Sequence, residues 1–232
     1  MKDNNLNTLL GGVVIFLVCI LFSETIHAQH RLSIQTGATL ARHHIDNDSQ
    51  KYNIGPIGGY SAGVYYRYRF NFGLILQAGV NYKTKVYTSD ISAYSRDGNI
   101  REEAKIRLHY INKPLYFGYS HAFSTFNLTL KTGPYIGYGF DGNVNYKVTY
   151  PDGFIDKGEA PVLWGWERGT GVYGLNRWEI GVSSGITIHI KDFDISLLHT
   201  AGLNDISYSM DEITSNRVWS LSVGYNLIAL FR

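Results

Sequence analysis

Cysteine is almost missing from this chain. The single one, Cys19, sits in an apolar run near the N-terminus, so no disulfide or thiolate-metal framework is available to anything beyond it. Proline is scarce too, with 5 residues in 232, while glycine reaches 25 and tyrosine 18. Charge is sparse and nearly balanced, 21 Lys and Arg against 19 Asp and Glu. That balance leaves no basic footprint for nucleic acid, and no nucleic-acid partner is expected. Long apolar runs are confined to the first segment, and nothing after it reads as a membrane-spanning helix.

The first 28 residues stand apart. Lys2 is followed by a polar segment, an apolar run from Leu9 to Phe22, and Ile26-His27-Ala28. This order predicts an export signal over 1–28, cut before Gln29, and a single domain over 29–232. An uncleaved anchor helix is the rival reading, but the run is short for a full span. Phe16-Leu17-Val18 ahead of Cys19 lacks the small residues that lipid attachment requires.

What is present is a period of two. Between residues 59 and 87, Tyr60, Ala62, Val64, Tyr66 and Tyr68 share one face and Ser61, Gly63, Arg67 and Arg69 the other. After a turn near Phe70–Phe72, Leu74, Leu76, Ala78, Val80 and Tyr82 alternate with Gly73, Gln77, Gly79, Asn81 and Lys83. Such alternation predicts strands with one oily and one polar face. The same pattern predicts further strands near 31–41, 105–119, 126–140, 176–190, 193–200 and 217–231. In the fourth strand the apolar parity changes between Tyr110 and Leu115, which predicts a bulge near Asn112–Pro114.

Eight strands result, and their connections sort by length. Short turns follow strands two, four and six; long polar segments follow one, three, five and seven, including 88–104 and 141–175. That asymmetry predicts an eight-stranded antiparallel up-and-down transmembrane β-barrel, with both termini on the short-turn, periplasmic side. Aromatic residues sort to the strand ends. Phe70, Phe72, Phe123, Phe126, Phe193 and Phe231 fall at the short turns, and Tyr60, Tyr82, Tyr138, Phe140, Trp178 and Trp219 near the long loops. Two belts separated by aliphatic residues match two membrane interfaces, so outer-membrane lipid is the expected surrounding. The polar face, with Arg67, Arg69, Lys83, Lys131 and Glu179, then points into the barrel. A barrel of eight strands is narrow enough for side chains to fill it, which predicts a plugged polar interior.

Several segments add a family resemblance. They are Gln35-Thr36-Gly37, the glycine-rich second strand, the run Leu108-His109-Tyr110-Ile111-Asn112-Lys113-Pro114-Leu115, Gly133-Pro134-Tyr135-Ile136-Gly137-Tyr138, and Gly202-Leu203-Asn204-Asp205-Ile206. The chain resembles the outer-membrane β-barrel proteins of Bacteroidota, the small barrels similar to the PorT protein of the gliding and secretion machinery. The run from Leu108 is similar to that family's Y-L-E-I-P-L signature, with Asn112 and Lys113 standing in place of its acidic and aliphatic residues. The resemblance implies a barrel fold and an outer-membrane location.

Chemistry-bearing constellations are thin. Gly137, Gly139 and Gly142 have G-x-G-x-x-G spacing, but no helix opens after them as a dinucleotide site needs, and no cofactor is expected. His43, His44, Asp46 and Asp48 lack the calcium-loop pattern, and a solvated loop outweighs a metal site. Ser95, Glu102, Glu103 and His109 are the residues that a rim enzyme would draw on, without a spacing that links them. No catalytic residue is assigned. Trp164, Trp166 and Arg168 in the longest loop are the candidate external contacts, the alternative being that the tryptophans pack the loop onto the barrel mouth. The expected function is a non-enzymatic structural or interaction role through the long loops, with an envelope protein as the partner. Three alternatives stay open: a PorT-like secretion component, a barrel enzyme acting on lipid or peptide, and a soluble lipocalin-like carrier.

Overall fold

The computed structural model describes residues 29–46, 55–95, 98–165, 174–206 and 213–227. Residues 1–28, where the export signal is expected, lie outside this set, as do Trp166, Arg168 and Phe231.

The alternating segments form strands β1 (Gln29–Asp46), β2 (Gly55–Arg69), β3 (Leu74–Ser95), β4 (Gly98–Ala122) and β5 (Asn127–Thr149). A short excursion follows with β6 (Ile155–Pro161), β7 (Leu163–Trp164) and β8 (Gly174–Leu175). The chain then returns through β9 (Trp178–Ile190), β10 (Phe193–Gly202) and β11 (Ile213–Asn226). Each long strand pairs antiparallel with its neighbour, and β1 pairs with β11, so β1–β5 and β9–β11 close an eight-membered ring. Closure leaves no open edge in the ring, the condition for a sheet to exist in lipid.

The turns at Phe70–Gly73, Phe123–Phe126 and Lys191–Asp192 lie on one rim with both described ends of the chain. In the first of them Phe70 N donates to Leu74 O at 2.9 Å, and Gly73 adopts φ +92°, a backbone state that only glycine takes without strain. The other rim carries the long excursions. β9, with 13 residues, reaches about 30 Å at roughly 3.3 Å per residue and a tilt of about 40°, the thickness of a hydrocarbon layer. Strands β3, β4 and β5 have 22, 25 and 23 residues and continue well past it.

Here the structure corrects the loop assignments. Residues 88–95 and 98–104 are strand and not loop: they form the outer arms of the β3–β4 hairpin, in register up to Ser95↔Gly98. The first part of 141–175 continues β5, and β6 pairs back on it from Asn143↔Pro161 to Thr149↔Ile155. Polarity misled the reading, because an extended hairpin standing in water shows none of the lipid-belt pattern.

The predicted bulge near Asn112–Pro114 is also corrected. Burial along β4 keeps one parity from Ala104 through Ile106, Leu108, Tyr110, Asn112, Pro114 and Tyr116 to Ser120. The strand never slips; what changes is its solvent. Below Tyr110 the outward residues Ile111, Leu115, Phe117 and Tyr119 are apolar, with Lys113 the one exception, while above it the outward residues are Lys105 and Arg107 and the apolar ones turn inward. A strand that leaves lipid for water must exchange its oily and polar faces. The bulge that does occur is on β5, where Phe140 is the extra residue between Tyr110↔Gly139 and His109↔Asp141. It moves the buried parity of β5 from odd to even at this level.

The outward belt is otherwise as the alternation requires. Leu74 is 46% exposed and Leu221 56%, with Val64, Val80, Leu130, Ile180 and Val223 on the same outer surface. Exposure of this extent suits an acyl-chain environment. Aromatic clusters mark both ends: Tyr68–Phe70–Phe72, Phe123–Phe126 and Phe193–Tyr225 at the short turns, and Tyr60–Tyr82, Tyr138–Trp178 and His199–Trp219 towards the long excursions.

Candidate functional site

Two regions hold the side chains that could do work: the polar interior and the apolar dome above it.

The interior is set by one face of every ring strand. Glu179 on β9 is 0% exposed and is the centre of its outer half. Its carboxylate accepts from Lys85 Nζ and Tyr135 Oη, and from Asn216 Nδ2 at 2.9 Å, so β3, β5 and β11 converge on one anion. Lys85 also lies 3.9 Å from the centre of the Tyr110 ring. Three donors from three strands can hold a carboxylate inside a barrel where bare burial would expel it.

Nearer the short-turn rim the second anion, Asp194, accepts from His189 Nδ1 at 2.5 Å and lies 3.5 Å from Arg31 Nη1. With Nδ1–H committed to Asp194, His189 Nε2 faces the Thr129 hydroxyl at 2.9 Å, and Arg67 Nη1 reaches the same ring. Arg69 is half-buried and donates to Ser120 O at 3.4 Å.

Between the two anions lie Lys83 and Lys131. Lys83 Nζ donates to Thr200 Oγ1 at 3.4 Å and Lys131 Nζ to Gln77 Oε1 at 3.3 Å. Around them Tyr116 donates to Ser183 at 3.2 Å, Ser183 and Thr200 hydroxyls are 3.1 Å apart, and Asn81 donates to Tyr65 at 2.7 Å. Arg67, Lys83, Lys131 and Glu179 thus all lie on the buried inner face. Tyr65, Lys85, Tyr110, Tyr116, Tyr135, His189 and Asp194 join them there, and the alternation alone did not single them out. Their parity was readable; the rule that aromatics mark the outer belt hid the tyrosines.

The dome closes the long-excursion end. Tyr87, Ala104, Ile106, Leu108, Tyr110, Val144, Val162 and Leu175 form a buried apolar cluster from β3, β4, β5 and the excursion. Trp164 packs against it, edge-on to Tyr110 at 5.9 Å between ring centres, with Arg177 over its other side at 5.6 Å. Of the two roles open to Trp164, packing onto the mouth is the one its position shows; Trp166 and Arg168 lie outside the described residues. Outside the dome the hairpins present Tyr150, Phe154 and Ile155, with Phe154 61% exposed.

Of the rim constellation, Glu103 and His109 are not brought together. Glu103 pairs with Arg101 and Lys147 on the open surface, at 3.1 and 3.2 Å. His109 contacts Tyr82 on the outer belt instead. Six residues of extended strand, about 20 Å, separate Glu103 from His109. The side chains of His43, His44, Asp48 and Ser95 lie outside the described residues.

A family model described as an outer membrane protein beta-barrel domain matches residues 24–208. No curated protein matches the chain. Among solved structures, Ail, the attachment invasion locus protein of Yersinia pestis, is 16% identical; the match covers 86% of this chain and 99% of Ail, with a TM-score of 0.38. Neisserial surface protein A is 13% identical over 86% of this chain and 99% of its own, with a TM-score of 0.38. The outer membrane protein OprG from Pseudomonas aeruginosa is 16% identical over 87% and 97%, also with a TM-score of 0.38.

Proposed function

This chain belongs to the outer membrane protein beta-barrel domain family and lies in the outer membrane; from that premise we propose that it is a non-enzymatic barrel that meets an envelope or extracellular partner through the hairpins of its long-excursion rim. The observation that carries this reading is the build of that rim. β3, β4 and β5 continue past the membrane thickness as paired strands, and their inner faces close over the apolar dome. A connection with no task needs a few residues, whereas this one is a platform with its own core. On that platform the β5–β6 turn sets Tyr150, Phe154 and Ile155 in water, an apolar group of the kind that contact surfaces use.

The same reading makes residues 1–28 the export signal. It also makes the external face, not a cleft, the working surface, since Glu103 and His109 share no reaction geometry. A secretion-apparatus role, the finer reading that the PorT-like motifs support, would instead put the partner at the short-turn rim.

The test is a photo-crosslinking amino acid placed at Phe154 in intact cells, with a second at Phe72. A crosslinked partner at Phe154 that is absent at Phe72 is expected. The partner yield should fall at least tenfold on Tyr150→Ser/Ile155→Ser, with heat-modifiable gel migration of the barrel unchanged. Crosslinks at Phe72 alone would shift the reading to the secretion component. An epitope inserted at Gly153 that labels only after the outer membrane is permeabilised would overturn the external platform itself.

A further inference from the structure

The buried charges of the interior do not balance. Arg67, Lys83, Lys85 and Lys131 are all at most 7% exposed, and the described buried acids are Glu179 and Asp194. Glu179 is taken by Lys85, and Asp194 by His189 and Arg31. Lys83 and Lys131 each donate to one neutral oxygen, Thr200 Oγ1 and Gln77 Oε1, and Lys131 also lies 4.9 Å from the centre of the Tyr116 ring. An ammonium has three N–H donors, so at least two on each lysine point at something other than that oxygen. Arg67 adds a buried Nε with no partner. Lys131 is an electrostatic neighbour of Arg67 and Lys83 as well as of Asp194, and Lys83 of Lys85 as well as of Glu179, so each lysine has only an anion that another cation already engages. Two like charges in a narrow lumen repel, and each is costly without a counter-charge.

We propose that the middle of the barrel is a binding site for a small inorganic anion, chloride or phosphate, held between Lys83 and Lys131. At the same level Tyr116 donates to Ser183, and Ser183 and Thr200 share one further proton, which leaves one hydroxyl proton free to donate to such an ion. The approach is from the short-turn rim, where Arg31, Arg67 and Arg69 supply positive charge, whereas the described residues at the other end include an apolar cluster. The anion completes the interior as a structural counter-ion. It does not depend on the external platform, and either reading can fail alone.

The experiment uses the full-length barrel, folded in detergent, and reads the temperature at which its heat-modifiable gel band unfolds. Sodium chloride, sodium phosphate and sodium gluconate are compared at equal ionic strength, gluconate being too bulky to enter. A bound anion at a hundredfold excess over its Kd should raise the midpoint by about 5–10 °C over gluconate. The shift should vanish in Lys83→Met/Lys131→Met. A rise with chloride, with phosphate, or with both identifies the ion. Equal midpoints in all three salts, or an undiminished shift in the double variant, would overturn the site. Should the variant fail to fold, anomalous scattering from a bromide-soaked crystal of the unmodified protein decides. A bromide within reach of both lysines is expected, and bromide found only at the surface would overturn the proposal.

Discussion

Glu179→Gln should destabilise the barrel by about 3–5 kcal/mol, the usual cost of removing one partner from a buried ion pair. The side chain keeps its shape, but Tyr135 donates to one carboxylate oxygen and Asn216 and Lys85 to the other, so the glutamine loses one acceptor along with the charge. Lys85 then remains in the interior beside Lys83 with no anion to answer it. At roughly 2–4 °C per kcal/mol for a chain of this size, the heat-modifiable transition should fall by about 6–20 °C. Lys85→Met should also destabilise, because the Glu179 carboxylate loses the cation that it contacts directly. The double variant Glu179→Gln/Lys85→Met should recover most of the loss, as replacing a whole buried pair is often close to neutral. Urea unfolding in lipid vesicles measures all three. A single Glu179→Gln variant as stable as the parent would show that water, and not Lys85, satisfies this carboxylate.

Much of this arrangement could be read from the residues. Within the membrane thickness one rule governs the strands, apolar outward and small or polar inward, with Lys113 of β4 its clear exception. Val64, Leu74 and Val80 against Arg67, Gln77 and Lys83 show it without any structure in hand. Loop lengths then set the two rims. The rule stops at Tyr110, where the surrounding solvent changes, and a pattern tuned to lipid cannot interpret Arg107 and Leu108. Both were read through a bulge that β4 does not contain, while the bulge at Phe140 of β5 left no mark in the alternation because Phe140 is as apolar as a belt residue should be. The interior partners were hidden for another reason. Lys85 follows Lys83 in parity, yet only ring closure brings β3 against β9 and sets it on Glu179. Likewise Asp194 and His189 flank a two-residue turn, and their meeting with Arg67 is a property of the closed ring. Sequence periodicity reports which face a side chain takes, and the ring decides whom it meets.

The change of solvent along β4 has a sharp consequence for two leucines. Leu221 lies on the outer belt between Leu197 and Ala38 on the neighbouring strands, two residues from Trp219 and four from Tyr225. Leu108 points inward above the belt and is 0% exposed within the dome. Leu221→Ala leaves no cavity, because acyl chains flow into the space, so its cost should be small. Leu108→Ala empties a packed site that the surrounding strands cannot close, and should cost about 2–5 kcal/mol. Charge tests the same boundary from the other side. Leu221→Arg puts a guanidinium at the bilayer midplane, which should cost about 2–4 kcal/mol and slow assembly into vesicles. Arg107→Ala, one residue from Leu108 but on the watery outer face, should change stability by no more than about 0.5 kcal/mol. Refolding into vesicles, followed by urea titration of the gel-shifted band, gives all four values on one scale. If Leu108→Ala proves as mild as Leu221→Ala, the dome is not a packed core, and the outer arms of β3, β4 and β5 must be held up by their ladders alone.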